Sequence, residues 1–368
     1  MILGVAFVWF TTHFGGGFAS GAQIYSYYVR YGIWSLFLPL FAMAYNGVFF
    51  AYCLYFARKH EVYDYRSYNN AFYGRFAPLF SNLFELLYLC VMCVAPAVAF
   101  ATGGATLSTL TGLPYLLCTF LIGAFIFVVS VFGTDLVRKV ASVLSICIIA
   151  GLLIVYVPNI IAGAGKIGDT VNAMKTADLP FGKALYAAFL YGTFQLANVA
   201  VFVQHAKSFE KPQDAGKSMA VGAVLNALLM IMVVLGIMTV YQNPEMSQQS
   251  VPTLFMVQQG VGSKFMTPLI SVLIILGAVS TAVNMVAAMV KRIHAGLAER
   301  SSRTETAGKI SRTQILAALA CCIADFLIAQ LGLLTLIQKA YSILAYLAVP
   351  VILVPYVVHM IATRFDTK

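Results

Sequence analysis

Residues 6–28 read AFVWFTTHFGGGFASGAQIYSYY, an apolar run long enough to cross a bilayer but interrupted by Gly15, Gly16 and Gly17. A glycine inside a helix costs about 1 kcal/mol relative to alanine. Three in succession, flanked by Thr11, Thr12, His13 and Ser20, make a poor lipid anchor. The run reads as a span unwound at mid-membrane, whose freed peptide groups are satisfied by neighbours, water or a ligand. Close packing through small residues, as with Gly17 and Gly21, explains why the residues are small. It does not explain why they are consecutive and centred.

The rest of the chain calls for the same solvent. Of 368 residues, 61% are apolar and 10% charged, and the mean hydropathy is +0.87. Soluble chains carry about 25% charged residues. Cytosolic enzymes, nucleic-acid modules and secreted disulfide scaffolds are excluded on this ground. The seven cysteines all fall in apolar runs, and the Cys90/Cys93 pair has no partner set that would complete a zinc site. Met1 leads directly into the first run with no basic segment before it, so no signal peptide is expected.

Ten stretches are long and apolar enough to span, at about 2–28, 32–57, 77–102, 113–132, 136–161, 182–205, 217–241, 263–290, 313–331 and 335–360. With the N-terminus inside, 17 of the 23 Lys and Arg fall in or beside cytoplasmic loops. That bias predicts a multi-pass protein of the plasma (inner) membrane with both termini cytoplasmic. It also explains the net charge of +10 without nucleic acid. Residues 248–261 are apolar but too short to cross and read as a re-entrant or interfacial helix, with 169–180 similar but more polar. The tyrosine-rich 58–75 loop reads as a cytoplasmic interfacial segment. No loop is large enough to form a domain, so 1–368 is one transmembrane unit.

The sixth stretch, ALYAAFLYGTFQLANVAVFVQH over 184–205, places Tyr191, Gly192, Thr193, Gln195 and Asn198 at its centre. Spans one and six correspond if the chain is two five-span halves, about 1–161 and 182–360. An odd number of spans per half inverts the second half, giving a 5+5 inverted repeat with helices 1 and 6 broken at the midplane. Paired interruptions of this kind point to a transporter binding site. Phe14, Gly15, Gly16, Gly17, Ser20, Tyr191, Gly192, Thr193 and Gln195 are therefore the candidate solute-binding residues. Free N–H groups at the second half-helices suit a carboxylate, and free carbonyls ending the first halves suit a cation.

Span eight reads LIILGAVSTAVNMVAAMV over 273–290, with Gly277, Ser280, Thr281 and Asn284 on one helix face. Its hydroxyls are hard-oxygen donors. With Thr12 and the carbonyls at the first break, Gly277, Ser280 and Thr281 form a candidate sodium site. The competing reading is that each hydroxyl bonds its own i−4 carbonyl.

The segment GGGFASG, residues 15–21, resembles the GAGFASG signature of the YkvI-type membrane proteins of the amino acid–polyamine–organocation superfamily. The match is specific over about ten residues and otherwise rests on span count, span six and the stripe in span eight. The resemblance implies the leucine-transporter-type fold, alternating access, and solute held between spans one, three, six and eight. It also implies rocking of spans one, two, six and seven against three, four, five, eight and nine, and ion ligands at Gly277, Ser280 and Thr281. The chain departs from the pattern at Gln23, where the family usually has an acid, and at His13, where an apolar residue is expected.

Only two acids lie within the spans, Glu85 and Asp325, and intramembrane acids are costly and often functional. With His13, they are candidate proton carriers. Glu85 is alternatively a structural partner of Arg138 or Lys139, and Asp325 of Lys339 or Gln330. The expected function is secondary transport of a small polar, amino-acid-like solute coupled to sodium, with proton coupling or a transport-inactive sensor or scaffold as the alternatives. GFASG lacks the spacing of a serine-nucleophile loop and no HExxH is present, so an enzyme is not expected. No cofactor is expected beyond the coupling ion, and no nucleotide motif indicates ATP drive. The expected partners are the solute and the lipid bilayer.

Overall fold

A computed structural model describes residues 2–177, 179–301 and 311–366, with side chains described apart from 134–142, 145 and 294–301. Lipid cannot hydrogen-bond exposed peptide groups, so a chain this apolar must satisfy them within helices or a closed barrel. Among the described residues every regular element is helical.

The first apolar run is three short pieces: α1 (Ile2–His13), α2 (Gly16–Ala19) and α3 (Ala22–Tyr27). A 3-10 segment, Val29–Leu36, leads into α4 (Leu38–Lys59). Span two thus starts later than position 32, because Gly32 takes a left-handed φ of 71° that no regular helix accommodates. There follow α5 (Tyr65–Tyr73), α6 (Ala77–Thr111), α7 (Tyr115–Phe132), α8 (Thr134–Ala162) and α9 (Ala164–Thr176). The second half contains α10 (Phe181–Gln195), α11 (Val199–Phe202), α12 (Asp214–Met238), α13 (Pro252–Gln258), α14 (Ser263–Ser301) and α15 (Arg312–Ala329). The last span is α16 (Leu333–Thr335), α17 (Tyr341–Ala348) and α18 (Val354–Ala362), joined by π-helical turns.

Eight of the described helical stretches are long and apolar enough to cross a membrane, or up to nine if the pair Ile146–Ala162 and Ala164–Thr176, bent by 75°, is one span. This is an all-α, multi-pass membrane protein. The ten-span expectation exceeds that number because α1 is apolar but only 12 residues long, its span being cut at the glycines. Large side chains such as Leu116, Phe120, Phe125, Ile323 and Leu327 are exposed on α7 and α15, as lipid-facing helices require.

The helices pack in two groups. In one, α12 lies against α4 and α1, and α4 against α10. In the other, α14 packs on α6, α7, α8 and α15, and α6 on α7 and α15. The α2 turn, which follows α1 of the first group in the chain, touches α14 and α6 of the second. The short apolar stretch near 250 is α13, with Pro252–Val257 buried, and the 58–75 loop contains α5.

Candidate functional site

The glycine run ends a helix. The last bond back into α1 runs from the Phe14 N–H to the Phe10 carbonyl (3.1 Å). Gly15 is extended (φ −69°, ψ 172°), and α2 then begins, with the Phe18 N–H donating to the Gly15 carbonyl (3.0 Å). Among the described residues the Gly15, Gly16 and Gly17 N–H groups and the Thr11 to Phe14 carbonyls have no hydrogen-bond partner. They are the groups that helix ends leave open. A second turn follows at Gly21 (φ 78°), where the Thr253 N–H of α13 donates to the Ser20 carbonyl (3.0 Å).

Glycine is required at 16 by proximity. A Cβ there would lie 2.8 Å from Ala278 Cβ and 3.0 Å from Ala278 Cα, so the broken segment rests on the α14 backbone. A cavity of about 240 Å3 opens beside this contact. Thr11, Thr12 and Phe14 line it from the first span, and Gly277, Ser280, Thr281 and Asn284 from α14. It runs from Phe14, 6% exposed, to the exposed Asn284. Thr12 Oγ1 donates to the Val8 carbonyl (2.8 Å) and Thr281 Oγ1 to the Gly277 carbonyl (3.0 Å). Both hydroxyls do back-bond, yet a donating hydroxyl keeps its lone pairs. Ser280 Oγ has no partner among the described residues. The structure thus brings Thr12, Gly277, Ser280 and Thr281 to one cavity wall, with oxygen chemistry suited to a hard cation.

The candidate solute residues are only partly gathered. Phe14 lines the cavity, and Gly15 lies beside Thr281, whose Oγ1 would be 3.6 Å from a Cβ. Gly17 faces the Gln23 amide instead, and Ser20 Oγ donates to the Gly17 carbonyl (2.9 Å). Span six does not break. It tightens to a 3-10 turn at Leu196–Asn198, and its flanking residues stay right-handed helical. The reason is that its central glycine makes room rather than slack. A Cβ on Gly192 would sit 2.5 Å from the Tyr45 ring, and Asn46 Nδ2 donates to the Gly192 carbonyl (2.7 Å). Thr193 Oγ1 donates to Phe189 (2.7 Å) and accepts from Tyr45 (3.2 Å). Gln195 Oε1 accepts from Asn198 (2.8 Å). Gly192 and Thr193 therefore face α4, away from the break; among the span-six candidates, Tyr191 meets His13.

His13, 4% exposed, closes a buried three-residue network. Asn226 Nδ2 donates to the Gly222 carbonyl (2.8 Å), which leaves its Oδ1 to accept from His13 Nδ1 (2.6 Å). A neutral imidazole then accepts the Tyr191 hydroxyl at Nε2 (2.6 Å). The network ties span one to α10 and α12. The signal for Asn226 was available as a lone amide in the apolar run around 223–230.

Glu85 is paired, though not as expected. It accepts from the Tyr65 hydroxyl (2.6 Å) and forms an ion pair with Arg292, which also donates to Tyr65. The Arg138 and Lys139 side chains lie outside the described residues. Asp325 is 4% exposed, and neither expected partner reaches it. Gln330 Nε2 donates to the Phe326 carbonyl (2.9 Å) and Lys339 is exposed. Among the described residues Asp325 has no hydrogen bond or ion pair, and no group of three or more His, Cys, Asp and Glu could hold a metal ion. Comparison with known proteins gives no match to a family model and none to a curated relative.

Proposed function

We propose that the chain is a secondary active transporter, not an enzyme, moving a small polar, amino-acid-like solute by alternating access coupled to sodium. On this reading it has ten spans in a 5+5 inverted repeat and resides in the plasma membrane with both termini cytoplasmic. The observation that carries it is the cavity at the break in span one. Thr11, Thr12 and Phe14, whose carbonyls are open at the end of the broken helix, line it beside a polar wall from α14. Lipid contact alone does not require such groups. The two helix groups supply bodies that rock, and the His13 network belongs to one of them. The open carbonyls of Thr11 to Phe14, with the Thr12, Ser280 and Thr281 hydroxyls, supply oxygen for sodium, and the open glycine N–H groups suit a carboxylate.

The test is thermal stability of purified protein across amino acids and related solutes, in sodium and in potassium. Sodium-specific protection is expected, and Ser280→Ala with Thr281→Ala should abolish it while leaving the protein folded. Protection that no solute changes and that ignores the cation would defeat the proposal.

Proton coupling has one specific observation in its favour, the buried Asp325, which has no partner among the described residues. On that reading Glu85 is committed to Arg292 and His13 is committed at both nitrogens. Uptake driven by a proton gradient, indifferent to sodium and lost in Asp325→Asn, would select it.

A further inference from the structure

The last span has two weak places, each a π-helical turn. Across the first, Leu336–Ala340, the Tyr341 N–H donates five residues back, to the Leu336 carbonyl. In an α-helix that N–H would serve Ile337, so the Ile337 carbonyl loses its usual donor. Across the second, Val349–Leu353, the Val354 N–H again reaches five residues back, to Val349. Here the Val351 carbonyl has no α-helical donor either, because the residue four positions on is Pro355, which has no N–H.

Both carbonyls are taken by a tyrosine from elsewhere in the chain. Tyr27 Oη donates to Ile337 (2.8 Å) and Tyr73 Oη to Val351 (2.8 Å). Tyr27 is the last residue of α3, in the broken first span, and Tyr73 the last of α5. They are 4% and 7% exposed, so a lost hydroxyl is not readily replaced by bulk water. Ser342 Oγ, 3.4 Å from the Tyr27 hydroxyl, is itself committed to the Gln338 carbonyl (2.6 Å).

Between the two turns lies α17, eight residues long, with the capped carbonyls about 20 Å apart along the helix. Helices bend where the ladder is interrupted, at π turns and prolines, and this segment has such a place at each end. It packs on α10 and α6, and Tyr341 stacks on Phe194 of span six (4.5 Å between ring centroids).

We propose that α17 is a segment that turns between two hinges, and that Tyr27 and Tyr73 are the locks that hold its register. Tyr27 ties the first hinge to span one, and Tyr73 ties the second to α5. Neither tyrosine lines the cavity beside Gly16, so the device stands whether or not a solute is carried.

The test is amide hydrogen exchange of the purified full chain, read by mass spectrometry over the last span. Tyr27→Phe should speed exchange around 336–342 about fivefold, the scale of one net hydrogen bond, and leave 349–358 as in wild type. Tyr73→Phe should do the reverse. The α17 amides at 343–348 should stay slow in each single variant and speed up in the double variant, where neither end is held. Tyr28→Phe removes the same atom from the neighbouring residue, whose buried hydroxyl has no partner among the described residues, and should change nothing in the last span. Pro355→Ala gives the Val351 carbonyl a backbone donor, so Tyr73→Phe added to it should have no further effect. No local change in either single variant, or equal change along the whole span in both, would overturn the locks. A double variant in which 343–348 stays as slow as wild type would overturn the turning segment. A Tyr73→Phe effect undiminished by Pro355→Ala would show that the Val351 carbonyl is not what Tyr73 holds.

Discussion

Spans one and six each have glycine and polar side chains at their centres, and only span one comes apart. At span one, three consecutive glycines leave no side chain to hold the turn, and the segment leans on the α14 backbone at Ala278. At span six a single glycine sits among residues that continue a helix, and the space it leaves is filled by the Tyr45 ring. The polar groups of span six satisfy one another or their own helix: Thr193 back to Phe189, Asn198 to Gln195. A polar centre is therefore not a break. What distinguishes the two is whether the glycine meets backbone or side chain, and whether the polar atoms have local partners.

The severest way to probe that difference is Gly16→Leu. A branched side chain would have to enter a contact already at the Ala278 backbone, and overpacking of this kind costs about 1–3 kcal/mol, with more where backbone must move. We expect membrane insertion to persist, since hydropathy is raised, while solute- or sodium-dependent protection is lost and the thermal midpoint falls. Retained protection would show that the cavity does not depend on the break. Next in size is His13→Ala, which tests how the broken span is moored to the intact one. It strips Asn226 Oδ1 and the Tyr191 hydroxyl of their buried partner, at about 1–3 kcal/mol for each unsatisfied group. Tyr191→Phe removes one bond only and should lose less. If both variants melt as wild type does, the network is not a mooring.

Hydropathy made the membrane class and most span positions legible, because lipid enforces a length and a composition that no local detail overrides. The break at Gly15 to Gly17 was legible for a related reason: three glycines in hydrocarbon need an explanation. The break expected in span six rested on the polar residues at its centre, and Thr193, Gln195 and Asn198 satisfy one another or their own helix instead. The stripe Gly277, Ser280, Thr281 was legible from helical periodicity, and Thr12, named with it, lines the same cavity from the first span. The partner of Glu85 was not legible. Arg292 lies 207 residues away, and only the packing of α14 on α6 decides that it, rather than another inner-face base, reaches the carboxylate. The local bonds of Ser20 were not legible either: α13 takes its carbonyl and its hydroxyl turns back to Gly17.

The smallest effect sharpens the comparison most, because the chemistry is identical at both sites. Gly16→Ala and Gly192→Ala each add one methyl group and each gain up to about 1 kcal/mol of helix propensity where the residue is helical. At 192 the new Cβ meets the Tyr45 ring at 2.5 and 2.9 Å, with the nearest backbone atom, the Ala42 carbonyl oxygen, at 3.7 Å. A ring at the edge of α4 turns aside at modest cost, so the two terms offset and the thermal midpoint should move little. At 16 the methyl group meets Ala278 Cβ at 2.8 Å and its Cα at 3.0 Å, and neither yields without moving α14 away from α2. That displacement widens the wall on which Thr281 and Ser280 stand. Gly16→Ala should therefore weaken sodium-dependent protection even where overall stability changes little, whereas Gly192→Ala should leave protection unchanged. If the two alanine variants prove indistinguishable in both readouts, glycine plays the same role in the two spans and the distinction drawn from the contact partners falls.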